Sequence, residues 1–467
     1  MNFVATPVWV LGAVATALAT VMVAGCGPSP SSRHNIDESA YQSSYQIPSS
    51  PPRALVGATL LTGTGERIDN GVVVIVDGLI AQVGSADSIA IADGVEIIDV
   101  SGRWITPGII DIHSHIGAGP LPATKATADA NENSDINRAD VWVEHSVYTQ
   151  DRGFNQALAA GVTTLQILPG SSILFGGRSV IVKNVMGRQV NDMKFPGAQQ
   201  GLKMACGENV RGSLGPKESP QSRMGVLAEM RAAFIRAKEY AANPNAPVDL
   251  KLDTLARVME GEIPVHQHCY RADDMANIIS LSHEMGYKVR AFHHATEAYK
   301  IADLLAKEGI CAAMWADWWG QKAEMRDGIP GNIALVHNAG ACAIVHSDSV
   351  VGVQRLNQEA AKAMAWGERM GIAIPPEQAI RWLTTNPAYG MGIDGKTGSL
   401  EVGKMADLAV WNQNPFSSYA LAQQVFIDGV LRYDRNDRAL QPVGDSALGY
   451  GAGYWDDSHT TVGGEQP

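Results

Sequence analysis

The hydrophobic positions of the chain follow two different patterns. From residue 54 to 106, short runs of β-branched residues alternate with turn signals such as Asp77-Gly78, without a helical period. Asp-Gly between two such runs is a hairpin signal. The same pattern returns from residue 396 to 438. We therefore predict one small β-sandwich domain that is formed from both ends of the chain, residues 54–106 and 396–438.

The pattern changes between these segments. Across residues 107–395, short apolar runs alternate with stretches of helical period, which is typical of βα units. Eight runs have the length of buried strands: Gly108–His113, Val162–Leu168, Ser179–Val185, Leu202–Cys206, Ile263–Cys269, Val289–His294, Ile310–Met314 and Cys342–Asp348. The predicted fold class is therefore α/β, a (β/α)₈ TIM barrel that carries the small β domain.

The first 26 residues predict an export signal. Residues 8–24 are almost wholly apolar and lead into Val23-Ala24-Gly25-Cys26, which resembles a bacterial lipobox. Since residues 1–7 contain no Lys or Arg, an uncleaved membrane anchor is the alternative. We expect a lipoprotein on the periplasmic side of a bacterial membrane.

The remaining segments and the charge limit the partners. Residues 27–53 are rich in Ser and Pro and predict a flexible tether, while residues 439–467 predict a loose tail. The net charge of −12 argues against nucleic acid, so we expect a small-molecule substrate and membrane contact only through the lipid anchor. Four cysteines besides Cys26 lie in or beside apolar runs without CxxC spacing, and we expect buried free thiols: Cys206, Cys269, Cys311 and Cys342.

The strongest chemical signal is His113-Ser114-His115, directly after the first predicted barrel strand. Alternate residues of a strand share a face, so both imidazoles would point into one cavity. Active sites of such barrels lie at the C-terminal ends of the strands. The spacing therefore predicts one metal ion bound by both histidines.

Four other predicted strands end in residues of the same kind. The fourth ends with Lys203 and Glu208, the fifth with His266 and His268, the sixth with His293 and His294, and the eighth with Asp348. Imidazole and carboxylate ligands suit Zn²⁺ or a similar divalent ion. We predict one or two ions, with Zn²⁺ preferred and Mn²⁺ or Fe²⁺ as alternatives.

These motifs resemble the amidohydrolase superfamily, and most closely its imidazolonepropionase-like and prolidase-like members. The resemblance covers roughly residues 54–435 and rests on residues 107–115, on His266, His294 and Asp348, and on the closing segment 398–408. It implies that His113, His115 and Asp348 bind the first metal. His266 and His294 would bind a second one, or His266 would complete a mononuclear site.

The bridging ligand stays open between two residues. Some members of the superfamily use a carboxylated lysine, for which Lys203 is the candidate, and others use a glutamate. The run Cys206-Gly207-Glu208-Asn209 resembles a Gly-Glu turn of adenine deaminases. We therefore prefer Glu208 as the metal ligand.

The ligand set predicts a hydrolytic mechanism. A bound metal lowers the pKa of water towards about 7 and so supplies hydroxide at neutral pH. Asp348 would take the proton of that water and deliver it to the leaving nitrogen. The metal or His293 would polarise the carbonyl, and His268 would hydrogen-bond the substrate. A packing role is the alternative for His268 and His293.

The sequence indicates the substrate less clearly than it indicates the type of reaction. Trp315, Trp318 and Trp319 follow the seventh predicted strand and would line an apolar pocket or pack against the barrel rim. We predict a metal-dependent hydrolase of a C–N bond in an amide, a cyclic amide or a dipeptide. The alternatives are a deaminase of an amino-heterocycle with the same metal centre and a non-catalytic extracytoplasmic binding protein.

Overall fold

The computed structural model describes Met1 and residues 36–120, 124–318 and 320–441. The predicted export signal and nearly all of the predicted tail lie outside these residues. No helix in the described ranges is long and apolar enough to cross a bilayer.

Seventeen strands and nine α-helices form the described part of the chain. The strands are β1 (Arg53–Leu61), β2 (Arg67–Val76), β3 (Leu79–Ser85), β4 (Glu96–Asp99), β5 (Trp104–Pro107), β6 (Ile109–Ser114), β7 (Val162–Ile167), β8 (Phe175–Arg178), β9 (Val180–Lys183), β10 (Leu202–Ala205), β11 (Val265–Cys269), β12 (Val289–His294), β13 (Cys311–Met314), β14 (Cys342–Val345), β15 (Leu408–Trp411), β16 (Ala422–Ile427) and β17 (Val430–Asp434). The helices are α1 (Arg152–Ala159), α2 (Arg223–Ala242), α3 (Leu250–Met259), α4 (Ala272–Met285), α5 (Ala302–Glu308), α6 (Asn332–Asn338), α7 (Leu356–Arg369), α8 (Pro376–Ala379) and α9 (Thr385–Met391).

Strands from both ends of the chain share one sheet of eight strands. Its order is β17-β16-β15-β5-β1-β2-β3, and β4 pairs with β1. The two ends meet where β15 pairs antiparallel with β5, with Leu408 opposite Pro107. The two ends of the chain, which were predicted to form a sandwich, share one continuous hydrogen-bonded sheet. Strand β1 connects its parts, because its first residues pair with β4 and its later residues pair with β5.

The central part of the chain is an α/β structure. Strands β10 to β14 are parallel neighbours, and every connection between them contains at least one helix. Strands β6 and β7 form a second parallel pair. Helix α4 shows how such a connection is built, because it buries Met275, Ile278 and Ile279 and ends at Gly286, whose φ of 88° is the left-handed conformation of a helix C-terminus.

The predicted third barrel strand differs from the expectation. Residues Val180–Lys183 form β9, which runs antiparallel to β7, while the preceding β8 runs antiparallel to β10. A parallel neighbour needs a crossover of a dozen or more residues, usually a helix. The chain between β7 and β9 contains no helix, so a single extended segment fills the space between β7 and β10.

The first and last parallel strands meet at their C-terminal ends. The backbone N–H of Asp348 donates to the carbonyl oxygen of His113 at 3.0 Å. Ile110 and Ile112 of β6 belong to the same buried cluster as Ile344 of β14. This contact brings the residues that follow β14 beside the His-x-His motif that ends β6.

Part of the predicted flexible tether is docked on the central part of the chain. We call residues 36–52 the strap. The carboxylate of Glu38 accepts hydrogen bonds from Arg178 at 2.8 Å and from Arg257 at 2.6 Å. Farther along, the hydroxyl of Tyr45 donates to Asp428 at 2.6 Å. The polar composition of this segment predicted flexibility. Composition does not show that a few of its side chains bind partners elsewhere in the chain.

The four cysteines correct another expectation. Cys206 is joined to Cys269, and Cys311 is joined to Cys342, so these residues are disulfides and not free thiols. Each disulfide connects neighbouring parallel strands, and Cys311 lies directly opposite Cys342 in the register. Sequence separations of 63 and 31 residues do not reveal which strands are neighbours, which is why the sequence did not predict the pairs.

Candidate metal centre

The C-terminal ends of five parallel strands converge on one buried cluster, which we call the histidine cluster. It contains the following residues: His113, His115, Lys203, His266, His268, His293, His294, His346 and Asp348. Two triplets within it have side-chain ligand atoms that all lie within 4.8 Å of one another: His113, His115 and Asp348, and His113, His294 and His346.

The first triplet joins β6 to the residue that follows β14. Asp348 Oδ1 lies 3.2 Å from His115 Nε2 and 3.5 Å from His113 Nε2. The other ring nitrogen of His115 lies 2.8 Å from the carbonyl oxygen of Leu168. A backbone carbonyl that fixes one ring nitrogen leaves the other free to bind a metal. The structure therefore brings these three predicted site residues together.

Two residues of the cluster have an unusual backbone. Asp348 has a φ of 48° and His294 a φ of 73°, both in the left-handed region that non-glycine residues rarely adopt. Such conformations persist only where surrounding contacts hold them, and they concentrate at functional sites. Asp348 also differs from a helix cap, because the next helical turn begins at Gly352 with Val351 at its N-cap.

The cluster contains buried ring nitrogens without hydrogen-bond partners. Among the described residues, these are His266 Nε2, His268 Nδ1 and Nε2, His294 Nδ1 and His346 Nδ1. A buried polar atom without a partner is costly and uncommon in folded proteins. Of these residues, His294 and His346 belong to the second triplet of possible ligands, where a divalent cation fits as a missing partner.

His293 and His268 occupy different positions in this cluster. His293 lies between two other histidines, with Nδ1 2.9 Å from His113 Nδ1 and Nε2 3.0 Å from His266 Nδ1. The ring of His268 packs edge-on against Tyr270 and His294, with centroids 4.6 Å apart in both cases. His293 therefore links two ligand candidates, whereas His268 keeps both ring nitrogens unpaired.

Lys203 lies within β10 and Glu208 lies in the turn after it, and their side chains reach different places. Lys203 is buried, and its Nζ lies 3.4 Å from His113 Nε2. Glu208 instead faces Glu324, whose carboxylate accepts the backbone N–H of Glu208 at 2.8 Å. Among the described residues, no hydrogen bond or ion pair joins Glu208 to the histidine cluster. The structure brings the residue of second choice, Lys203, into the cluster and leaves the preferred Glu208 outside it.

Burial sets the charges in the cluster. It lowers the pKa of His266 to about 3 and that of His346 to about 4, and it also lowers the pKa of His113 and His294 well below the usual value. These rings are therefore neutral at pH 7, which is the form that binds metal ions. Burial also lowers the pKa of Lys203 to about 7.

Asp348 keeps its negative charge in these surroundings. Burial acts to raise its pKa, but the hydrogen bond from His115 and the electrostatic effects of His115, His346 and Lys203 outweigh burial and lower it. A carboxylate thus lies beside neutral imidazoles at neutral pH. This combination can hold a divalent cation and accept a proton.

Sequence reasoning did not assign two residues that the structure places at the site. His346 belongs to the second triplet. Its spacing from Asp348 is the same as that of His113 from His115, and this spacing was the signal that could have identified it. Asp111 is fully buried and accepts a hydrogen bond from Ser347 Oγ at 2.5 Å. Burial raises the pKa of Asp111 to about 6.

Trp315 packs directly against the cluster. Its ring stacks on His294 at 4.5 Å and on Trp318 at 5.0 Å, and its indole N–H donates to the carbonyl oxygen of Ser347 at 3.1 Å. Trp315 and Trp318 also line a small cavity together with His294, so both alternatives for these tryptophans stay open. Trp319 lies outside the described residues.

Comparison with known proteins agrees with this geometry. Residues 104–432 match the model of the amidohydrolase family. The amidohydrolase tasK of Hapsidospora irregularis is 30% identical over 399 residues, which are 78% of this chain and 40% of that protein. An imidazolonepropionase of Mesorhizobium japonicum is 25% identical over 376 residues, 74% of this chain and 87% of that protein. The crystal structure of an amidohydrolase from Thermotoga maritima MSB8 has a TM-score of 0.75 at 31% identity, covering 82% of this chain and 100% of that one.

The chain therefore belongs to the amidohydrolase family, and the resemblance predicted from the sequence is confirmed. It is an amidohydrolase-family hydrolase whose histidine cluster is typical of a metal site. The chain spans less than half the length of the tasK protein. The activity of that whole protein is therefore not assigned to this chain.

Proposed function

We propose that the protein hydrolyses a C–N bond of an amide, a cyclic amide or a dipeptide, with the help of one or two divalent ions in the histidine cluster. The observation that carries this proposal is the two triplets of possible metal ligands that share His113, one of which contains the Asp348 carboxylate. The partly exposed Asp348 carboxylate favours catalysis over binding alone, because it can reach a water molecule or a substrate.

The donor set suggests which residues hold the ions. His113, His115 and Asp348 would hold the first. His266 and His294 would hold the second, with His346 close by, and Lys203 would connect the two positions after carboxylation of its amine. A bound divalent cation would polarise the substrate carbonyl and lower the pKa of a water molecule to about 7. Zn²⁺ is the preferred ion, with Mn²⁺ or Fe²⁺ as alternatives.

Asp348 carries the proton transfers in this proposal. About a quarter of its side chain is exposed, whereas His113 and His294 are almost fully buried. The carboxylate can therefore reach a water molecule and a substrate at the open side of the cluster. Asp348 would accept a proton from the attacking water and deliver it to the leaving nitrogen, as a general base and then a general acid.

The remaining histidines have supporting parts in the proposal. His268, with two unpaired ring nitrogens, would hydrogen-bond the substrate. His293 is in contact with His113 and His266, so we propose that it orients them, in addition to the carbonyl polarisation expected from the sequence.

We also propose a closed (β/α)₈ barrel and an exported lipoprotein. The hydrogen bond between Asp348 and His113 supports closure, because it joins the first and last parallel strands. The proposal of a lipid anchor at Cys26 rests on the sequence alone.

A substrate panel tests the proposed reaction. The metal-loaded protein is assayed with cyclic amides, N-acyl amino acids, dipeptides and amino-heterocycles, and new carboxylates, new amines and free ammonia are measured separately. We expect a carboxylate and an amine in equal amounts from at least one of the first three classes. Ammonia from amino-heterocycles alone would establish the deaminase alternative. No turnover of any class by metal-loaded protein would contradict both reactions.

A further inference from the structure

A buried carboxylate outside the proposed ligand set connects the two strand ends that carry the first triplet. Asp111 of β6 is fully buried, and its Oδ2 accepts the hydroxyl of Ser347 at 2.5 Å. Its Oδ1 accepts two backbone N–H groups, that of Ser347 at 3.2 Å and that of His113 at 3.2 Å. One carboxylate thus binds donors on both strand ends.

The position of Ser347 makes these bonds relevant to the metal centre. Ser347 lies between His346 and Asp348, so any shift of its backbone moves both neighbours. Its hydroxyl also lies 3.3 Å from the carbonyl oxygen of His113, and its carbonyl oxygen accepts the indole N–H of Trp315. Ser347 is therefore fixed from three directions.

Asp348 needs such support because of its backbone. Its φ of 48° is rarely adopted by aspartate, and its own N–H is bound to the carbonyl oxygen of His113 at 3.0 Å. A residue in this conformation returns to a more relaxed one unless its surroundings hold it. Ser347 directly precedes Asp348, and its hydrogen bonds restrain the backbone of Asp348 in this conformation.

We propose that Asp111 and Ser347 are positioning residues of the metal centre, which hold the side chains of His113 and Asp348 aimed at a single ion. This inference rests on the proposed function, because it presupposes a metal in the first triplet. The two residues would act through the ligands and would not touch the ion. Partners of metal ligands commonly change metal affinity by about 10- to 100-fold when removed.

The test uses Co²⁺, whose visible absorption reports the geometry of its ligands. Metal-free wild type, Ser347→Ala and Asp111→Asn are titrated with Co²⁺, and Kd and the spectrum are recorded. Ser282→Ala is the matched control, because Ser282 is also buried and its hydroxyl donates to a backbone carbonyl, Ile279 O, at 2.7 Å on α4. Melting temperatures of the metal-free proteins measure the purely structural cost.

We expect Kd for Co²⁺ to rise about 10- to 100-fold in Ser347→Ala and Asp111→Asn, with an altered spectrum, while Ser282→Ala binds as wild type does. A Kd within about twofold of wild type with an unchanged spectrum in either site variant would overturn the proposal. If Ser347→Ala does not fold, Asp111→Asn decides by the same criterion, and failure of both to fold would also overturn a positioning role. Wild type that binds no Co²⁺ would refute the proposed function itself, which is a distinguishable result.

Discussion

Lys203 Nζ lies 3.4 Å from His113 Nε2, and both side chains are buried at the centre of the histidine cluster. Because burial lowers the pKa of Lys203 to about 7, its amine is more readily neutral at neutral pH than that of an exposed lysine. A neutral amine is the form that reacts with carbon dioxide. Its position beside His113 then places the product, a carbamate, among the proposed metal ligands.

The first prediction separates Lys203 from Glu208. We expect Lys203→Ala to lose at least one metal equivalent and the activity, and bicarbonate to increase the metal content of wild type. Glu208→Gln should keep its metal, because Glu208 faces Glu324 and not the cluster. Elemental analysis of the three proteins is the measurement. Metal loss in Glu208→Gln with normal metal in Lys203→Ala would restore Glu208 as the ligand.

The second prediction concerns Asp348. Asp348→Asn keeps the size of the side chain but removes the proton acceptor, so we expect kcat to fall about 10²- to 10⁴-fold. The protein should remain folded, and Asp303→Asn, at an exposed position of α5, should keep normal turnover. Steady-state kinetics with the substrate from the panel provide the comparison. Near-normal kcat in metal-loaded Asp348→Asn would exclude the proposed proton transfers.

The third prediction concerns the strap. Burial acts to raise the pKa of Glu38, but the hydrogen bonds and charges of Arg257 and Arg178 outweigh burial and lower it. We expect Glu38→Gln to reduce the free energy of unfolding at pH 7 by about 1 to 3 kcal/mol, as for hydrogen bonds to charged groups. Denaturant unfolding at several pH values is the measurement.

The pH dependence of this difference follows from the sign of the shift. A carboxyl with a lowered pKa in the folded state stabilises the protein above its unfolded pKa of about 4.3, and this stabilisation is lost as the pH falls through the folded pKa. The difference between wild type and Glu38→Gln should therefore be complete at pH 7 and shrink below about pH 4. Glu229→Gln, at an exposed position of α2, is the control and should match wild type throughout. Equal stability of Glu38→Gln and wild type at pH 7 would show that the strap is not docked through Glu38.

The fourth prediction concerns the cysteines. Cys26→Ser protein, denatured without reductant, should show no reactive thiol, and four should appear after reduction, because the other cysteines form Cys206–Cys269 and Cys311–Cys342. A thiol-reactive dye provides the count. Four thiols before reduction, in protein made and purified under oxidising conditions, would restore the free cysteines expected from the sequence.

The pattern of apolar and polar residues predicted those features that depend only on the spacing of nearby residues. The His-x-His motif was recognised because strand alternation places His113 and His115 on one face, and β6 does end there. Parallel strands β10 to β14 were recognised from apolar runs that alternate with helical stretches. Each of these signals is contained in a short stretch of the chain.

The features that the sequence did not predict depend on distant contacts. The choice between Lys203 and Glu208 requires the direction in which the chain turns after β10, and the disulfides require knowledge of which strands are neighbours. Glu38 looks like any tether residue until Arg178 and Arg257 are known to lie beside it. The antiparallel direction of β9 likewise follows from the absence of a helix between β7 and β9. The sequence pattern identified a strand there but did not give its direction.

The most direct test of the account is the metal content of the purified protein after reconstitution with Zn²⁺, Mn²⁺ or Fe²⁺. Wild type and His283→Ala, whose exposed histidine lies on α4, should each hold between about one and two equivalents. The first triplet alone offers the three protein ligands usual for a catalytic ion, and the second triplet shares His113 with it. The double variant His113→Ala with His115→Ala should hold at least one equivalent less. Wild type that remains metal-free after reconstitution, or a double variant that retains the full amount, would contradict the proposal that the histidine cluster is a metal centre.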